Sequence, residues 1–129
     1  MKPTLDILVV EDHEDTTSVL CDLLRDWGHD VRWAGTIADA KQALSLRKSD
    51  VLLADIGLPD GDGWRLLQGL GQHTPPYAIA MSGHGSAADE QRSHRAGYRH
   101  HLVKPFEADT LKGLLHDAAV RIDGETPTN

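Results

Sequence analysis

Five short apolar runs, each followed by a segment with helical spacing, constrain this chain more than any other feature. They are Ile7-Leu8-Val9-Val10, Val31-Arg32-Trp33-Ala34, Val51-Leu52-Leu53-Ala54, Ala78-Ile79-Ala80-Met81 and His101-Leu102-Val103. Short runs of this kind between helical patterns read as strands, and strict alternation implies right-handed crossovers and a doubly wound α/β domain on an open parallel sheet. The first, third and fourth runs are apolar on both sides of the alternation, as strands covered by helices on both faces must be. The second and fifth carry polar residues and read as sheet edges.

The intervening segments supply the helices. Leu20, Leu23, Leu24 and Trp27 fall at helical spacing, and Gly28 follows in the position that tolerates a left-handed backbone. Thr36 can cap a helix carrying Ile37, Ala40 and Leu44; Trp64, Leu67 and Leu70 predict a third; Ala87 to Ala96, stopped by Gly97, predicts a fourth. Leu111, Leu114, Leu115, Ala118 and Ile122 form the stripe of the last helix, with Asp109 near its start, where the helix dipole favours an acid. The expected division is one domain over residues 1–122 and a polar tail over 123–129.

Composition narrows the class. The chain has 129 residues, enough for one domain with a real core. Thirteen Lys and Arg against 20 Asp and Glu give a net charge of −7, which argues against direct nucleic-acid binding through a basic face. No apolar run reaches the roughly 18 residues of a spanning helix, so no membrane insertion is expected. No export signal is expected ahead of the first run. Cys21 is the single cysteine, so it can form no internal disulfide, and a cytoplasmic setting with Cys21 in helix packing is the expectation. Residues 1–65 hold 13 acidic and 7 basic side chains, so the negative charge sits in the first half.

In such sheets ligands bind beyond the carboxyl ends of the strands. Strand one runs into Glu11-Asp12, strand three into Asp55, strand four into Ser82 and strand five into Lys104-Pro105. Taken singly, these residues read as helix caps or solvated surface. Together they put three carboxylates, a hydroxyl and an ammonium on one rim. Carboxylates about 4 Å apart repel by several kcal/mol even at an effective dielectric of about 20, so a rim that collects three of them calls for a cation. An all-oxygen set suits Mg²⁺, or Mn²⁺, and disfavours soft metals. With the metal in place, Ser82 and Lys104 suit a phosphoryl group, and Asp55 at the centre can act as a nucleophile that forms an aspartyl phosphate.

These residues, Glu11-Asp12, Asp55-Ile56-Gly57-Leu58-Pro59 with Asp62-Gly63, Ser82-Gly83 and Lys104-Pro105-Phe106, resemble a response-regulator receiver domain of two-component phosphorelays. The resemblance spans about Leu5 to Arg121. It implies a five-stranded, flavodoxin-like (βα)5 fold with strand order 2-1-3-4-5. It also implies Asp55 as phosphoacceptor, Glu11, Asp12, Asp55 and the Gly57 carbonyl as metal ligands, and Ser82 and Lys104 on the phosphoryl oxygens. Pro105 would follow a cis bond. Such a domain catalyses its own phosphorylation and dephosphorylation. Its partners would be a histidine kinase or histidine phosphotransfer domain as donor and a downstream protein on the helix 4/strand 5/helix 5 face; a weak dimer is also allowed. The wording around Asp55 and from Gly97 to Pro105 is most similar to receivers attached to hybrid sensor histidine kinases.

The chain departs from the family at the switch position, where His101 stands in place of Tyr or Phe. Arg92, His94, Arg95, Arg99, His100 and His101 form a basic, His-rich stretch that reads as a solvated face. A histidine metal site is not expected, because the one adjacent pair, His100-His101, points to opposite faces of a strand. Gly61, Gly63, Gly69 and Gly71 lack a phosphate-loop pattern and read as turns. Two rival readings remain: a flavodoxin-like cofactor binder, against which Glu11-Asp12 would repel a phosphate, and a degenerate receiver used only for docking. An aspartyl-phosphate hydrolase would want an acid where Gly57 stands.

Overall fold

A computed structural model describes residues 4–125. Five strands, β1 (Asp6–Val10), β2 (Asp30–Ala34), β3 (Val51–Asp55), β4 (Tyr77–Ser82) and β5 (His100–Val103), form one parallel sheet in the order β2-β1-β3-β4-β5. Five helices alternate with them: α1 (Glu14–Asp26), α2 (Ile37–Leu46), α3 (Gly63–Gln68), α4 (Ala87–Ala96) and α5 (Ala108–Glu125). This is the doubly wound flavodoxin-like architecture, with β2 and β5 at the edges.

The period of two along each strand divides the core. Ile7, Val9, Val51, Leu53, Ile79 and Met81 face α1 and α5, where they meet Leu20, Leu24, Leu111 and Leu115. Leu8, Val10, Leu52, Ala54, Ala78 and Ala80 face the other way, toward Ala40, Leu44, Leu66 and Leu67 of α2 and α3. Fully burying a Leu or Ile side chain contributes roughly 1.5–3 kcal/mol, so the three central strands carry much of the core's stability. Cys21 is buried in the α1 packing.

Local signals set the helix ends. Thr36 accepts the Asp39 N–H at 3.1 Å and Ser86 accepts the Asp89 N–H at 3.1 Å. Gly28 (φ +92°) and Gly97 (φ +114°) end α1 and α4 in the left-handed region that a side chain would strain. Three expectations need correction. Helix α3 is only six residues long and stops before Gly69 and Gly71, whose low helical propensity ends it, so Leu70 is buried from outside the helix. Of the four glycines read as turns, Gly61 lies in a two-residue strand and Gly63 opens α3. Helix α5 runs through Asp123 to Glu125, so the expected tail begins as helix; residues 126–129 of that tail, like Met1 to Pro3, lie outside the described residues. Among the described residues no helix is long and apolar enough to cross a membrane.

Candidate functional site

The register Asp55↔Met81 and Ser82↔Val103 brings the carboxyl ends of β3, β4 and β5 level at one rim. Backbone bonds lock the rim: Ile56 N–H donates to the Met81 carbonyl at 2.9 Å and Lys104 N–H to the Ser82 carbonyl at 2.7 Å. The Lys104–Pro105 peptide is cis. After β3 the chain makes a small hairpin, Gly57–Leu58 against Gly61–Asp62, and Asp62 caps α3 by accepting the Arg65 N–H at 2.8 Å.

At the centre, Lys104 Nζ donates to Asp55 Oδ2 and to Glu11 Oε1, each at 2.6 Å. Asp55 Oδ1 accepts the Gly57 N–H at 2.9 Å and Glu11 Oε2 accepts the Asp12 N–H at 3.1 Å. Glu11 is wholly buried and Asp55 is 8% exposed, whereas Asp12 and His13 stand at the open edge. Two acids and one base in a desolvated cluster leave a net negative charge, and the titration directions follow from it. Burial raises the Glu11 pKa, the Lys104 ammonium opposes this, and Asp55 adds to it. Burial pulls the Lys104 pKa down, but its bonds to Asp55 and Glu11 outweigh that and leave it raised.

The acidic loop is held from behind. Trp33 Nε1 donates to the Glu11 carbonyl at 2.8 Å, and Thr17 Oγ1 donates to the His13 carbonyl at 2.8 Å, with the Glu11 carbonyl 3.3 Å away. Carboxylate oxygens of Glu11 and Asp12 and a ring nitrogen of His13 lie within 4.8 Å of one another, a spacing that could hold a metal ion. Among the described residues no hydrogen bond or ion pair engages the Asp12 carboxylate, and the charge of Glu11 and Asp55 is only half met by Lys104. The donors are oxygen-rich and anionic, so the rim fits a hard divalent cation.

The sequence-predicted residues divide into two groups. Glu11, Asp55 and Lys104 are in contact, with Asp12 beside them. Ser82, 4% exposed, bonds neither to Asp55 nor to Lys104 through its side chain: its hydroxyl donates to the His84 carbonyl, and its oxygen lies 2.7 Å from His101 Nε2. His101 Nδ1 in turn lies 2.7 Å from Ser93 Oγ, which accepts Trp64 Nε1–H at 2.8 Å. His100 points to the opposite face, against the Tyr77 ring. Sequence reasoning missed His13, Trp33 and Ser93. His13 adjoins the acid pair, but no second histidine stands near it in sequence to signal a site; Ser93 and Trp64 are 29 residues apart, and nothing along the chain links them.

Residues 7–116 match the family model described as the response regulator receiver domain. The chain is 34% identical over 118 residues to the sensor histidine kinase RcsC of Salmonella typhimurium, covering 90% of this chain and 12% of that protein. It is 30% identical over 127 residues to the transcriptional regulatory protein ZraR of Escherichia coli O157:H7, covering 95% of this chain and 29% of that protein. It therefore spans less than a third of the length of these relatives. Among solved structures it superposes on a two-component response regulator from Clostridium difficile (TM-score 0.87, 21% identity, 94% of this chain and 98% of that one). It likewise superposes on a CheY-like receiver from Methanospirillum hungatei (TM-score 0.86, 24% identity, 93% and 97%).

Proposed function

This chain belongs to the response-regulator receiver family, and from that premise we infer that it accepts a phosphoryl group from a phosphohistidine onto Asp55 in a Mg²⁺-dependent reaction. The observation that carries this reading is the near-burial of Asp55 against a single ammonium, Lys104, which it shares with the buried Glu11.

Glu11, Asp12, Asp55 and the Gly57 carbonyl would hold Mg²⁺, and Mn²⁺ would serve as well. When bound, that ion would supply positive charge against the phosphoryl oxygens. The steps belong to the protein. An Asp55 carboxylate oxygen attacks phosphorus, the bond to the donor nitrogen breaks, and its electron pair remains on the imidazole, which takes up a proton. Lys104 neutralises oxygens of the transferring group, and Ser82 donates its hydroxyl proton to one of them. Hydrolysis of the acyl phosphate by water returns the carboxylate.

The donor is a histidine kinase or histidine phosphotransfer domain. A groove lined by Val19, Leu20, Leu23, Pro105 and Phe106, with Asp15 and Thr16, includes Lys104 in its wall and offers a surface for the protein that carries phosphohistidine to Asp55. Val19 is 67% exposed and gives that donor an apolar contact. The downstream partner engages the α4–β5–α5 face, where Val103 of β5 is exposed.

The rival readings have less support. A cofactor phosphate after β1 would meet the Glu11 and Asp12 carboxylates, and a docking-only domain has no use for the intact Asp55–Lys104–Glu11 cluster. The test is uptake of one phosphoryl group from acetyl phosphate, dependent on Mg²⁺ and abolished in Asp55→Ala.

A further inference from the structure

Counting protons fixes the direction of the relay behind Ser82. The Ser82 hydroxyl has one proton, and it goes to the His84 carbonyl, so the 2.7 Å contact with His101 must be a donation from Nε2–H to Ser82 Oγ. Ser93 Oγ accepts Trp64 Nε1–H, and its own proton has His101 Nδ1 at 2.7 Å as acceptor. The tautomer that satisfies every donor is therefore Nε2–H, and the order is Trp64 to Ser93 to His101 to Ser82 to the His84 carbonyl. Ser93 is wholly buried and Ser82 nearly so, which leaves little room for water to substitute for a missing member.

On the reading that Asp55 is phosphorylated, the geometry points to Trp64, Ser93 and His101 as positioning residues that make the Ser82 hydroxyl an obligate donor. Because His101 always fills the acceptor side of Ser82, the serine proton has only two destinations: the His84 carbonyl in the free domain and a phosphoryl oxygen in the loaded one. The imidazole stays inward in both states. What changes is the His84 carbonyl, which loses its donor and frees the segment between β4 and the Ser86 cap of α4. The side chain at position 101 thus acts by holding a tautomer rather than by swinging outward. Loss of the Ser93 hydroxyl would let the proton settle on Nδ1, after which bare Nε2 would draw the Ser82 proton away from the phosphoryl group.

Side-chain ¹⁵N shifts of His101 test this on the wild-type domain without any phosphodonor: one protonated Nε2 and one bare Nδ1 are expected, and a protonated Nδ1 overturns the proposal. The second arm uses Ser93→Ala, Trp64→Phe, which keeps a ring but removes the N–H, and Ser93→Thr, which keeps the hydroxyl. The initial rate of acetyl phosphate labelling should fall about tenfold in Ser93→Ala, as for loss of a hydrogen bond to a charged group. It should fall less in Trp64→Phe and recover in Ser93→Thr, while Mg²⁺ affinity stays unchanged. Equal labelling rates in all of them overturn the relay and leave the phosphoacceptor reading standing; no Mg²⁺-dependent adduct on wild type removes that reading instead.

Discussion

Lys104 Nζ rests 2.6 Å from Asp55 Oδ2, although 49 residues separate the two along the chain. The same ammonium holds Glu11 at 2.6 Å. One cation thus stands between the proposed nucleophile and a buried acid, and the first predictions come from upsetting that balance.

Replacing Lys104 by Met leaves Glu11 and Asp55 buried with no cation between them. Removing one partner of a buried pair costs roughly 3–5 kcal/mol; because Lys104 is 23% exposed, the loss should fall near the lower figure. Urea unfolding should show it, and saturating Mg²⁺ should restore part of it.

Glu11→Gln should act oppositely on stability and binding. The raised Glu11 pKa means the folded state binds this proton more readily than the unfolded state, so its contribution is fully present below the ordinary glutamate pKa of 4.5 and is lost as pH rises through the folded value. The neutral isostere escapes that loss. At neutral pH without metal the variant should unfold at higher urea than wild type, and its Mg²⁺ affinity, followed by Trp33 fluorescence, should be weaker.

His29 gives the domain an acid-sensitive joint. Its Nδ1 accepts the Leu5 N–H at 3.1 Å, and burial lowers its pKa below 6.5. The unfolded chain therefore binds the proton more readily, so this contribution is present above pH 6.5 and is lost as pH falls through the folded value. Between pH 7.5 and pH 5.5 wild type should lose stability, and His29→Asn, which keeps an acceptor but cannot titrate, should lose less.

Gly63 sits where a side chain has no room: an added Cβ would come within 2.6 Å of the Asp55 carbonyl oxygen and 3.0 Å of Ile56 Cα. Both are backbone, so the chain around the phosphoacceptor would have to move. Gly63→Ala should cost about 1–3 kcal/mol, the usual range for overpacking, and should slow acetyl phosphate labelling. An unchanged rate would mean that Asp55 tolerates the shift.

Val19→Glu separates the two kinds of donor. It adds a charge to the groove that Leu20, Leu23, Phe106 and Lys104 also line. Transfer from a phosphohistidine protein should slow by at least tenfold while acetyl phosphate labelling stays as in wild type. An equal effect on both would remove the groove from the account.

Much of this is legible in the amino-acid sequence. The apolar runs from Ile7, Val51 and Ala78 marked the central strands because burial on both faces leaves them no polar side, and position after a strand was enough to place Glu11, Asp12, Asp55, Ser82 and Lys104 on one rim. What escaped depends on contacts between distant segments. The brevity of α3 is set by Gly69 and Gly71 against an apolar spacing that runs on to Leu70. The inward hold on His101 needs Ser93 from α4 and Trp64 from α3, and no periodicity encodes that meeting. Trp33 read as an edge-strand aromatic, yet its indole N–H fixes the carbonyl of Glu11.

The central claim concerns a single oxygen–phosphorus bond on Asp55. Intact-mass and peptide-mapping measurements on the wild-type domain with acetyl phosphate should show one added phosphoryl group, on the peptide containing Asp55, formed with Mg²⁺ and absent with a chelator or in Asp55→Ala. A wild-type domain that folds and binds Mg²⁺ but gains no mass, or that gains it at a residue other than Asp55, would contradict the account.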